Sequence, residues 1–558
     1  MRQSSVRGDR TRRRRPDAQD PAGDGPYESG LPPDAPGWTP PPGSSSVPPD
    51  DEGGGGHRKG GRPRRRKGRK VLRWTAISLA LLLVAGAGAG YLYYEHLNSK
   101  LRKDRRDLSA GGLKKPDPNA FGQSPLNILL LGSDGRDNKE NIKLGGARQD
   151  ADRKPLADVQ MLLHVSADRS NMSVISIPRD TRVPIPKCTD PHGGKVYPQT
   201  TAAINQSLQH GGPGCTLATW QELTGIYIDH FMMVDFSGVV EMADAIGGVP
   251  VCVDKNIYSH DSKGHGSGLR LTAGTHSVKG VQALQWLRTR YGFEDNTDIG
   301  RAKAQHMYMN SMVRQLKAGT KLTNPGQLRD LAEAATAALT VDDGLGSVKK
   351  LYDLGGDLQR VPTKRITMVT MPWQYGPGES YVMPKPGEAE QTFALLRNDT
   401  ALDGKDAKKK PSPAPKASTP KSELKVVVQN GTNSSVSGPV SGRASVIQQQ
   451  LAGLGYTAAD TDSALSTQAD TTISYPNKAA RGDALALAKA LGLPEGAAKE
   501  SRSVSELRLV VGNDWRSGTQ YPKQQGDDKP ANKAPESADA LNGEDKKACM
   551  KVNPQYTF

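Results

Sequence analysis

The sequence predicts an α/β protein that follows a single membrane-spanning helix. Three observations support this prediction: one long uncharged apolar stretch at residues 74–94, apolar runs of strand length from residue 126 onward, and helical patterns between those runs. The chain has 558 residues, of which 40 are proline, 61 are glycine and only 35% are apolar. A chain of this length with so few apolar residues and so many prolines and glycines does not pack into one domain. We therefore expect about two folded domains and several disordered segments.

The first 73 residues form a basic arm that we expect to be disordered. They contain 17 Lys/Arg against 9 Asp/Glu, many prolines and glycines, and almost no large aliphatic residues. The stretch "WTAISLALLLVAGAGAGYLYY" follows at residues 74–94 and is long enough to cross a bilayer. Trp74 and Tyr94 mark its two ends as interfacial anchors. The alternative is a cleaved signal peptide, but the stretch is too long for one and has no evident cleavage site.

The charges on either side of this stretch predict its orientation. Residues 58–73 hold ten basic residues and no acidic ones, whereas residues 95–107 hold five basic and three acidic residues. The more basic side stays in the cytoplasm, so we expect a single-pass type II protein of the cell membrane with its folded part outside. The net charge of +16 would otherwise suggest nucleic acid, which this location excludes as a partner. The arm is expected to contact membrane lipid instead.

The four cysteines fit an extracytoplasmic location. They form no CxxC pair and no His/Cys cluster with zinc spacing, which argues against a metal–thiolate site. A disulfide between Cys188 and Cys215 is favoured outside the cell, with two unpaired small apolar residues as the alternative. Cys252 alternates with two valines in "GGVPVCVD" and is expected to be a core residue of a strand. The remaining cysteine is Cys549.

Charged residues follow or begin three successive predicted strands. A polar stalk is expected at 95–123, and the first folded domain at 124–400. Its first strand, "LNILLL", runs into Gly-Ser-Asp-Gly-Arg, which is most often only a turn. Ligand sites of open α/β sheets lie outside the carboxyl ends of strands, so we expect these charges to meet at one edge. The residues concerned are Asp134 and Arg136 after the first strand, Asp158 at the start of the second, and Arg179 and Asp180 after the third.

Further arginines lie near the ends of two predicted helices. The helix in "GVQALQWLRTR" ends at Arg288 and Arg290. Asp298 begins the next helix, which carries Arg301 in its first turn. An arginine there opposes the helix dipole, a small cost that a nearby anion would remove. A solvated charge run is the alternative explanation.

Six blocks of sequence occur in an order that resembles the LytR-CpsA-Psr family of cell-wall polymer ligases. The blocks span residues 126–316 and read "NILLLGSDGRDN", "ADVQMLLHVSADRSNMSVISIPRDTRVPIP", "INQSLQHGG", "LTGIYIDHFMMVDFSGVVEMADAIGGVPV", "GVQALQWLRTR" and "DIGRAKAQ". Residues 422–515 are similar to the LytR C-terminal domain, which we expect to be a small α/β domain. A Lys/Pro/Ala/Ser linker is expected at 401–421 and a disordered tail at 516–558.

The resemblance implies a fold, an activity and a set of site residues. The family has an α/β/α domain with a central mixed sheet and transfers anionic glycopolymers from a polyprenyl diphosphate carrier to peptidoglycan. An apolar groove for the lipid and a Mg²⁺ ion are also implied. The implied catalytic residues are Asp134, Arg179, Arg288, Arg290 and Arg301; the implied substrate-binding residues are Arg136, Asp180, Asn205 and Asp298; and the implied metal ligands are Asp134 and Asp158, which are also candidates for the general base.

The chain departs from the family pattern at three positions. Leu156 stands where many members carry an arginine, so that Arg153 or Arg148 would have to replace it or the contact is absent. Ala203 replaces a lysine before Ile-Asn, and Ala304 replaces the second arginine after "DIGR". These departures leave the details of the diphosphate contacts open.

Two further functions therefore stay open beside the ligase. One is a non-catalytic, attenuator-like protein that binds lipid or cell wall; the other is a diphosphate hydrolase with water as the nucleophile. The sequence does not distinguish a teichoic acid-like from an arabinogalactan-like polymer.

Overall fold

A computed structural model gives the fold of most of the chain. It describes residues 66–106, 122–135, 153–261, 263–319, 325–377, 381–406, 415–434, 437–501, 503–522, 532–546 and 548–558, and the single residues 113, 115, 116, 118, 141 and 144. Most of the predicted basic arm, residues 1–65, lies outside these ranges.

The apolar stretch lies within one long helix, α1. This helix runs from Arg66 to Lys100 and so extends beyond the predicted residues 74–94 at both ends. Its segment Lys70–Lys100 is long and apolar enough to cross a membrane, and the most apolar window of that segment is exposed. The prediction of one apolar N-terminal helix is therefore confirmed.

The described residues form ten α-helices and 23 strands. The helices are α1 (Arg66–Lys100), α2 (Ser207–Thr224), α3 (Phe236–Ala245), α4 (Gly280–Arg288), α5 (Asp298–Gly319), α6 (Pro325–Ala338), α7 (Val348–Arg360), α8 (Glu388–Arg397), α9 (Arg443–Gly453) and α10 (Arg481–Leu491). The strands are β1 (Arg102–Asp104), β2 (Leu126–Ser133), β3 (Ala157–Val165), β4 (Met172–Ser176), β5 (Arg182–Ile185), β6 (Cys188–Thr189), β7 (Val196–Tyr197), β8 (Thr200–Ala203), β9 (His230–Val234), β10 (Val249–Val253), β11 (Ile257–Tyr258), β12 (Arg270–Leu271), β13 (Gly274–Val278), β14 (Leu339–Asp342), β15 (Ile366–Thr370), β16 (Trp373–Tyr375), β17 (Val382–Pro384), β18 (Val426–Asn430), β19 (Ala459–Asp462), β20 (Thr472–Tyr475), β21 (Ala498–Glu500), β22 (Leu507–Val511) and β23 (Leu541–Asn542).

A mixed eight-stranded sheet organises the first folded domain. Its strand order is β1-β14-β9-β2-β3-β4-β15-β23. The pairs β1/β14, β9/β2 and β4/β15 are parallel and the others are antiparallel. Neighbouring residues of the central strands face two different cores: Leu129 packs with Trp220 of α2, whereas Ile128 packs with Leu354 of α7. Helices thus cover both faces of the sheet, and the predicted α/β/α class is confirmed.

Both edges of this sheet are formed by segments outside the domain boundaries that the sequence predicted. Strand β1 lies in the predicted polar stalk, and β23 lies in the predicted disordered tail. These edge strands are only three and two residues long, and their polar side chains add bonds to the same neighbours: Arg102 donates to the carbonyl of Ala338 and Asn542 to that of Lys364. Polar side chains therefore do not prevent the pairing. The described part of the tail, residues 532–546 and 548–558, is called the C-terminal strap below.

The cysteines form two disulfides. Cys188 pairs with Cys215 across a Cα–Cα distance of 5.7 Å, which confirms the favoured alternative. Cys252 lies on a strand as predicted, but it is half-buried and not a core residue, because it faces away from the buried valines and pairs with Cys549 of the strap over a sequence separation of 297 residues. An alternating strand pattern describes only local burial and cannot reveal a partner so distant in the sequence.

The C-terminal domain has a sheet and a core of its own. Its five strands lie in the order β19-β18-β22-β20-β21 and carry the helices α9 and α10. Trp515 and Tyr456 are among its largest fully buried side chains. The prediction of a small α/β domain at this place in the chain is confirmed.

Arg397, at the end of α8, connects this domain to the first. Its guanidinium donates to both carboxylate oxygens of Asp470, at 2.6 and 2.7 Å, and also pairs with Glu390. The same side chain donates to the backbone carbonyl of Thr224 at 2.5 Å. Only 8% of the Arg397 side chain is exposed, so these charges are held in a largely water-free environment.

We predict that Arg397→Met destabilises the chain. Removal of the guanidinium leaves two carboxylates without their cation. Because these carboxylates are partly exposed, the free energy of unfolding should fall by about 2–3 kcal/mol, somewhat less than for a fully buried pair. Urea denaturation of the whole chain in detergent measures it. Arg329→Met, which removes an exposed i,i+4 pair with Glu333, should leave the midpoint unchanged. Equal midpoints for the two variants would contradict the prediction.

Candidate active site

The ends of four central strands meet at one edge of the large sheet, which we call the rim. Strands β2 and β9 are parallel and end together, whereas β3 begins beside the end of β2. Strand β4 is antiparallel to β3 and so also ends at this edge. Asp134, Asp158 and Arg179, which the sequence placed after or at the start of these strands, therefore lie on the same rim.

A tight turn after β4 fixes the backbone of Arg179. The amide and the hydroxyl of Thr181 both donate to the carbonyl of Pro178, at 3.0 and 2.6 Å. The amide of Asn205 donates to the carbonyl of Arg179 at 3.2 Å, and Ile204 donates to Thr181 at 2.8 Å. The sequence analysis did not single out Thr181, whose hydroxyl closes this turn.

Three carboxylates surround Arg179. Its Nη1 donates to Asp158 Oδ1 at 2.9 Å, and its Nε donates to Asp298 Oδ2 at 3.2 Å. Asp180 Oδ1 lies 3.6 Å from the same Nε. The guanidinium is thus held in one orientation by groups from β3, from α5 and from its own turn.

Asp298, the first residue of α5, is the carboxylate that three arginines share. Besides Arg179, it has Arg301 Nη2 at 3.2 Å and Arg290 Nε at 3.8 Å. Arg290 lies on the segment that joins α4 to α5, and this segment positions its side chain. Only 10% of the Asp298 side chain is exposed. The arginines that the sequence placed at separate strand and helix ends are therefore brought together at one buried carboxylate.

Two carboxyl groups of this network, those of Asp180 and Asp298, have pKa values shifted in opposite directions. Burial, and then a hydrogen bond with Asp298, raise the pKa of Asp180 to about 6. Burial also acts to raise the pKa of Asp298, but the hydrogen bond from Asp180 and the nearby arginines outweigh it and lower that pKa to about 2. Burial opposes the charge of Arg179 as well, yet the surrounding carboxylates, Asp158 first, raise its pKa further. Arg179 and Asp298 thus stay charged, while Asp180 is the group that titrates.

Some polar atoms of this cluster are buried without a hydrogen-bond partner. They include Arg290 Nε, Asp298 Oδ1 and Asn205 Oδ1 within the part of the chain that the structure describes. Buried polar atoms are nearly always hydrogen-bonded in native proteins. Asp298 Oδ1 nevertheless has Arg301 Nη2 at 3.2 Å, so an ion pair stabilises this oxygen in place of a hydrogen bond.

Asp134 occupies a second position on the rim. Its Oδ1 accepts from the backbone amide of Leu156 at 2.6 Å, and its Oδ2 accepts from Arg153. Its side chain is only 7% exposed. A backbone donor and a cation thus help to hold the carboxylate in place.

Arg288 makes a different set of contacts. Its Nη1 donates to the carbonyl of Leu144 at 3.1 Å, and its guanidinium lies 4.9 Å from the ring centroid of Phe236. Phe236 begins α3 directly after β9 ends, so Arg288 also lies at the rim. Arg136 and Arg148, two further arginines considered from the sequence, lie outside the described residues.

A family model and several relatives match this chain. The model of the LytR_cpsA_psr family matches residues 91–398, more than half of the chain. The chain belongs to the LytR-CpsA-Psr family. Residues 423–515 match a second model, described as LytR cell envelope-related transcriptional attenuator. The family predicted from the ordered sequence blocks is thereby confirmed.

Relatives of this LytR-CpsA-Psr protein carry names from cell-wall synthesis. The cell wall biosynthesis protein LcpA of Corynebacterium glutamicum is 26% identical over 477 residues, 81% of this chain and 88% of the relative. The polyisoprenyl-teichoic acid–peptidoglycan teichoic acid transferase TagT of Bacillus subtilis is 26% identical over 353 residues, 61% of this chain and 98% of the relative. The solved structure of a LytR-Csp2A-Psr enzyme from Actinomyces oris is 21% identical and covers 53% of this chain and 96% of its own, with a TM-score of 0.39. The relatives named as transferases confirm the predicted class of enzyme, a LytR-CpsA-Psr ligase.

The structure shows what stands at the three positions where this LytR-CpsA-Psr chain departs from the family pattern. Leu156 contributes a backbone donor to Asp134, and Arg153 supplies the cation there. Ala203 pairs with the neighbouring strand in the β5–β8 hairpin. Ala304 is fully buried, and its carbonyl accepts from Trp286 Nε1 at 2.9 Å. Arg153 thus places a guanidinium group close to Leu156, at the first departure, and Ala304 is a packing residue.

The donor set for a metal at this site is small. Within the described ranges, no group of three or more His, Cys, Asp or Glu side chains is arranged to hold a metal ion. Asp134 and Asp158 offer carboxylate oxygens, and each is already next to an arginine. Such a pair fits an ion that takes most of its ligands from water and phosphate, as Mg²⁺ does. It does not fit an ion that needs a cage made entirely of protein ligands.

We predict that Asp180 makes the folded state less stable as the pH rises. Its folded pKa of about 6 lies above the ordinary value of 3.8, so the fold favours the protonated form. Its stabilising effect is complete below about pH 4 and is lost as the pH rises through 6. Because 46% of the side chain is exposed, screening should limit the loss to about 1 kcal/mol, or about 2–3 °C in Tm.

Calorimetry of the wild type and of Asp180→Asn from pH 4 to 7 tests this prediction. Asparagine imitates the neutral carboxyl group and does not titrate. The two melting temperatures should therefore agree near pH 4, and the wild type should fall below the variant by pH 7. Parallel profiles over the whole range would show that Asp180 titrates as it does in the unfolded chain.

Proposed function

We propose that this protein is a membrane-anchored phosphotransferase that attaches an anionic glycopolymer to peptidoglycan. The polymer, teichoic acid-like or arabinogalactan-like, would come from a polyprenyl diphosphate carrier and be linked to muramic acid. One observation carries the proposal: Arg179, Arg290 and Arg301 share one buried carboxylate at the rim. The relatives named as polyisoprenyl-teichoic acid–peptidoglycan teichoic acid transferases support the same substrates.

The arginine cluster suits a diphosphate. Guanidinium groups are planar, permanently charged and present several donors in a fixed fork, so they bind phosphate oxygens in a bidentate way. In the structure, Asp158 and Asp298 hold Arg179 with two of its donors and leave others for a ligand. The carboxylates thus orient the arginines before substrate arrives, which reduces the cost of arranging them on binding.

The proposed reaction is a phosphoryl transfer with the polymer kept on the transferred phosphate. A hydroxyl oxygen of muramic acid attacks the phosphorus next to the sugar and forms a new O–P bond. The bond between that phosphorus and the bridging oxygen breaks, and polyprenyl phosphate leaves with the proton that the hydroxyl group has lost. Negative charge on the phosphate oxygens is stabilised by Arg179 and Arg290, the kind of contribution that dominates phosphoryl transfer.

We further propose that Asp134 and Asp158 are the protein ligands of a Mg²⁺ ion. Both are on the rim, and Arg153 and Arg179 keep them in place. The ion would supply positive charge to the diphosphate oxygens. The same carboxylates would keep the two arginines oriented before the ion arrives.

The membrane helix supports the same assignment. Lipid-linked substrates are confined to the bilayer, and α1 contains a segment that can cross it. The basic residues before α1 favour a cytoplasmic N-terminus and an extracellular active site. We therefore propose a type II topology, which places the site on the side of the membrane where peptidoglycan lies.

We predict that Arg179→Ala lowers kcat about 10²–10³-fold, the size seen when one donor to a developing anion is removed. The assay contains the purified chain in detergent, a short-chain polyprenyl diphosphate glycan, peptidoglycan oligomers and Mg²⁺, with mass spectrometry of all products. Arg182→Ala is the matched control, because that arginine follows three residues later, is exposed and lies over the ring of Tyr381. Arg179→Lys keeps one charge and should recover only part of the activity.

Each product pattern decides between functions. A glycan–phosphate–peptidoglycan adduct that is lost in Arg179→Ala supports the ligase. Free glycan phosphate without adduct would instead show a hydrolase, and bound lipid without any turnover would show a receptor. Equal activity of Arg179→Ala and Arg182→Ala would remove the arginine cluster from the mechanism.

We predict that EDTA abolishes transfer and that added Mg²⁺ restores it. Asp158→Asn should require at least about tenfold more Mg²⁺ for half-maximal rate, because one charged ligand is lost. Asp190→Asn is the control, since this carboxylate pairs with Lys154 and is not proposed as a metal ligand. Full activity in EDTA would show that the arginines act without a metal.

A further inference from the structure

The C-terminal strap lies outside both regions that match family models. Those regions are 91–398 and 423–515, whereas the strap begins at residue 532. The strap nevertheless packs into the first domain, with β23 as the last strand of its sheet. The C-terminal domain is therefore inserted in the sequence between the body of the first domain and its final strand.

The strap makes direct hydrogen bonds with the arginine loop, the segment 289–297 between α4 and α5 that carries Arg290. The amide of Glu294 donates to the carbonyl of Lys551 at 2.9 Å. The amide of Asn553 donates to the carbonyl of Gly292 at 2.9 Å, and Asn553 Nδ2 donates to the carbonyl of Glu294 at 2.8 Å. The backbone of the arginine loop thus both donates to the strap and accepts from it.

The opposite side of the strap is attached to the end of β10. Met550 donates to the carbonyl of Cys252 at 2.9 Å, and Asp254 donates back to Met550 at 3.0 Å. The carboxylate of Asp254 accepts from the amide of Val552 at 2.8 Å. The Cys252–Cys549 disulfide lies immediately beside these bonds. The strap therefore fills the space between β10 and the arginine loop as a short extra strand would.

Packing fixes the strap in the same place. Met550 and Val552 are buried in one core with Phe293 of the arginine loop and with Trp286 of α4. A second link runs through Lys303, whose Nζ lies 3.0 Å from Glu294 and 3.2 Å from Asp539 of the strap. Apolar and charged contacts thus join the strap to the loop at separate points.

The conformation of the arginine loop explains why it needs such support. Glu294 has φ 46° and Asn296 has φ 65°, so two residues with side chains occupy the left-handed region. This conformation is unfavourable for L-residues other than glycine and persists only when the surroundings enforce it. The strap bonds to both backbone groups of Glu294, one of the two residues concerned.

We propose that the C-terminal strap is a positioning element of the rim, held there by the Cys252–Cys549 disulfide. It keeps the arginine loop in the conformation that aims Arg290 at Asp298. The identity of the ligand rests on the function proposed above, whereas the mechanical role of the strap does not. Release of the strap relaxes the loop and weakens diphosphate binding while the sheet and the Arg179 turn stay folded.

The test compares two variants that each lose one disulfide. Cys252→Ser/Cys549→Ser releases the strap, and Cys188→Ser/Cys215→Ser is the matched control. Hydrogen–deuterium exchange of the whole chain in detergent reports on peptides from 289–297, and farnesyl diphosphate is the binding probe. We expect at least about tenfold faster exchange in the loop and about five- to tenfold weaker binding in the first variant only. In the transfer assay, KM should rise more than kcat falls.

A single-residue variant tests the same contact without removing a disulfide. Asn553→Ala deletes one hydrogen bond to the loop, and Asn256→Ala deletes a bond from the same residue type to Phe558, at the end of the strap. Only Asn553→Ala should speed loop exchange and raise the dissociation constant. This pair decides the question if the double serine variant does not fold.

The outcomes separate the strap from the proposed function. Unchanged loop exchange in both strap variants overturns the positioning role, and so does faster exchange with unchanged binding. Failure of the wild type to bind farnesyl diphosphate would contradict the diphosphate site, but the exchange data would still decide whether the strap holds the loop.

Discussion

The arrangement of the rim depends on the ion pairs that surround Asp298. Three guanidinium groups from different parts of the chain approach this one carboxylate, and none of them could stay so close to the others without an intervening negative charge. Arg179 comes from the turn after β4, Arg290 from the loop after α4 and Arg301 from the first turn of α5. The carboxylate therefore connects the sheet to the two helices, and it holds the three guanidinium groups in place before any ligand arrives.

The rest of the first domain serves to bring these segments together. Parallel pairing of β2 with β9 and antiparallel pairing of β3 with its neighbours place several strand ends at the same edge. Two edge strands complete the sheet, one from the segment directly after α1 and one from the strap. The segment that follows α1 is thus part of the same sheet that carries the rim.

The sequence predicted the rim because its signals are local. An apolar run that stops at a charged residue, or an arginine in the first turn of a helix, can be recognised without knowledge of the fold, and Asp158, Arg179 and Arg301 were found in this way. The ordered sequence blocks supplied the family and the α/β/α class. The pairing of Arg153 with Asp134 needed the structure, because it depends on how the chain returns to the rim.

The features that the sequence did not reveal are short edge strands and contacts between residues far apart in the sequence. Strands β1 and β23 are too short to show a period in their side chains. The Cys252–Cys549 pair joins residues that are 297 positions apart, so no spacing pattern indicates it. The strap has the polar composition of a disordered tail, and only a few side chains, such as Met550 and Val552, are buried. Composition describes whether a segment can fold by itself, whereas the strap folds onto a surface that already exists.

The most direct test of the arginine cluster is a structure of this protein with a polyprenyl diphosphate glycan bound. The account predicts that the diphosphate lies within hydrogen-bond distance of the guanidinium groups of Arg179 and Arg290, with the sugar-side phosphorus open to the solvent side of the rim. A diphosphate bound elsewhere, with the ion pairs of Asp298 undisturbed and no phosphate oxygen near Arg179, would contradict it.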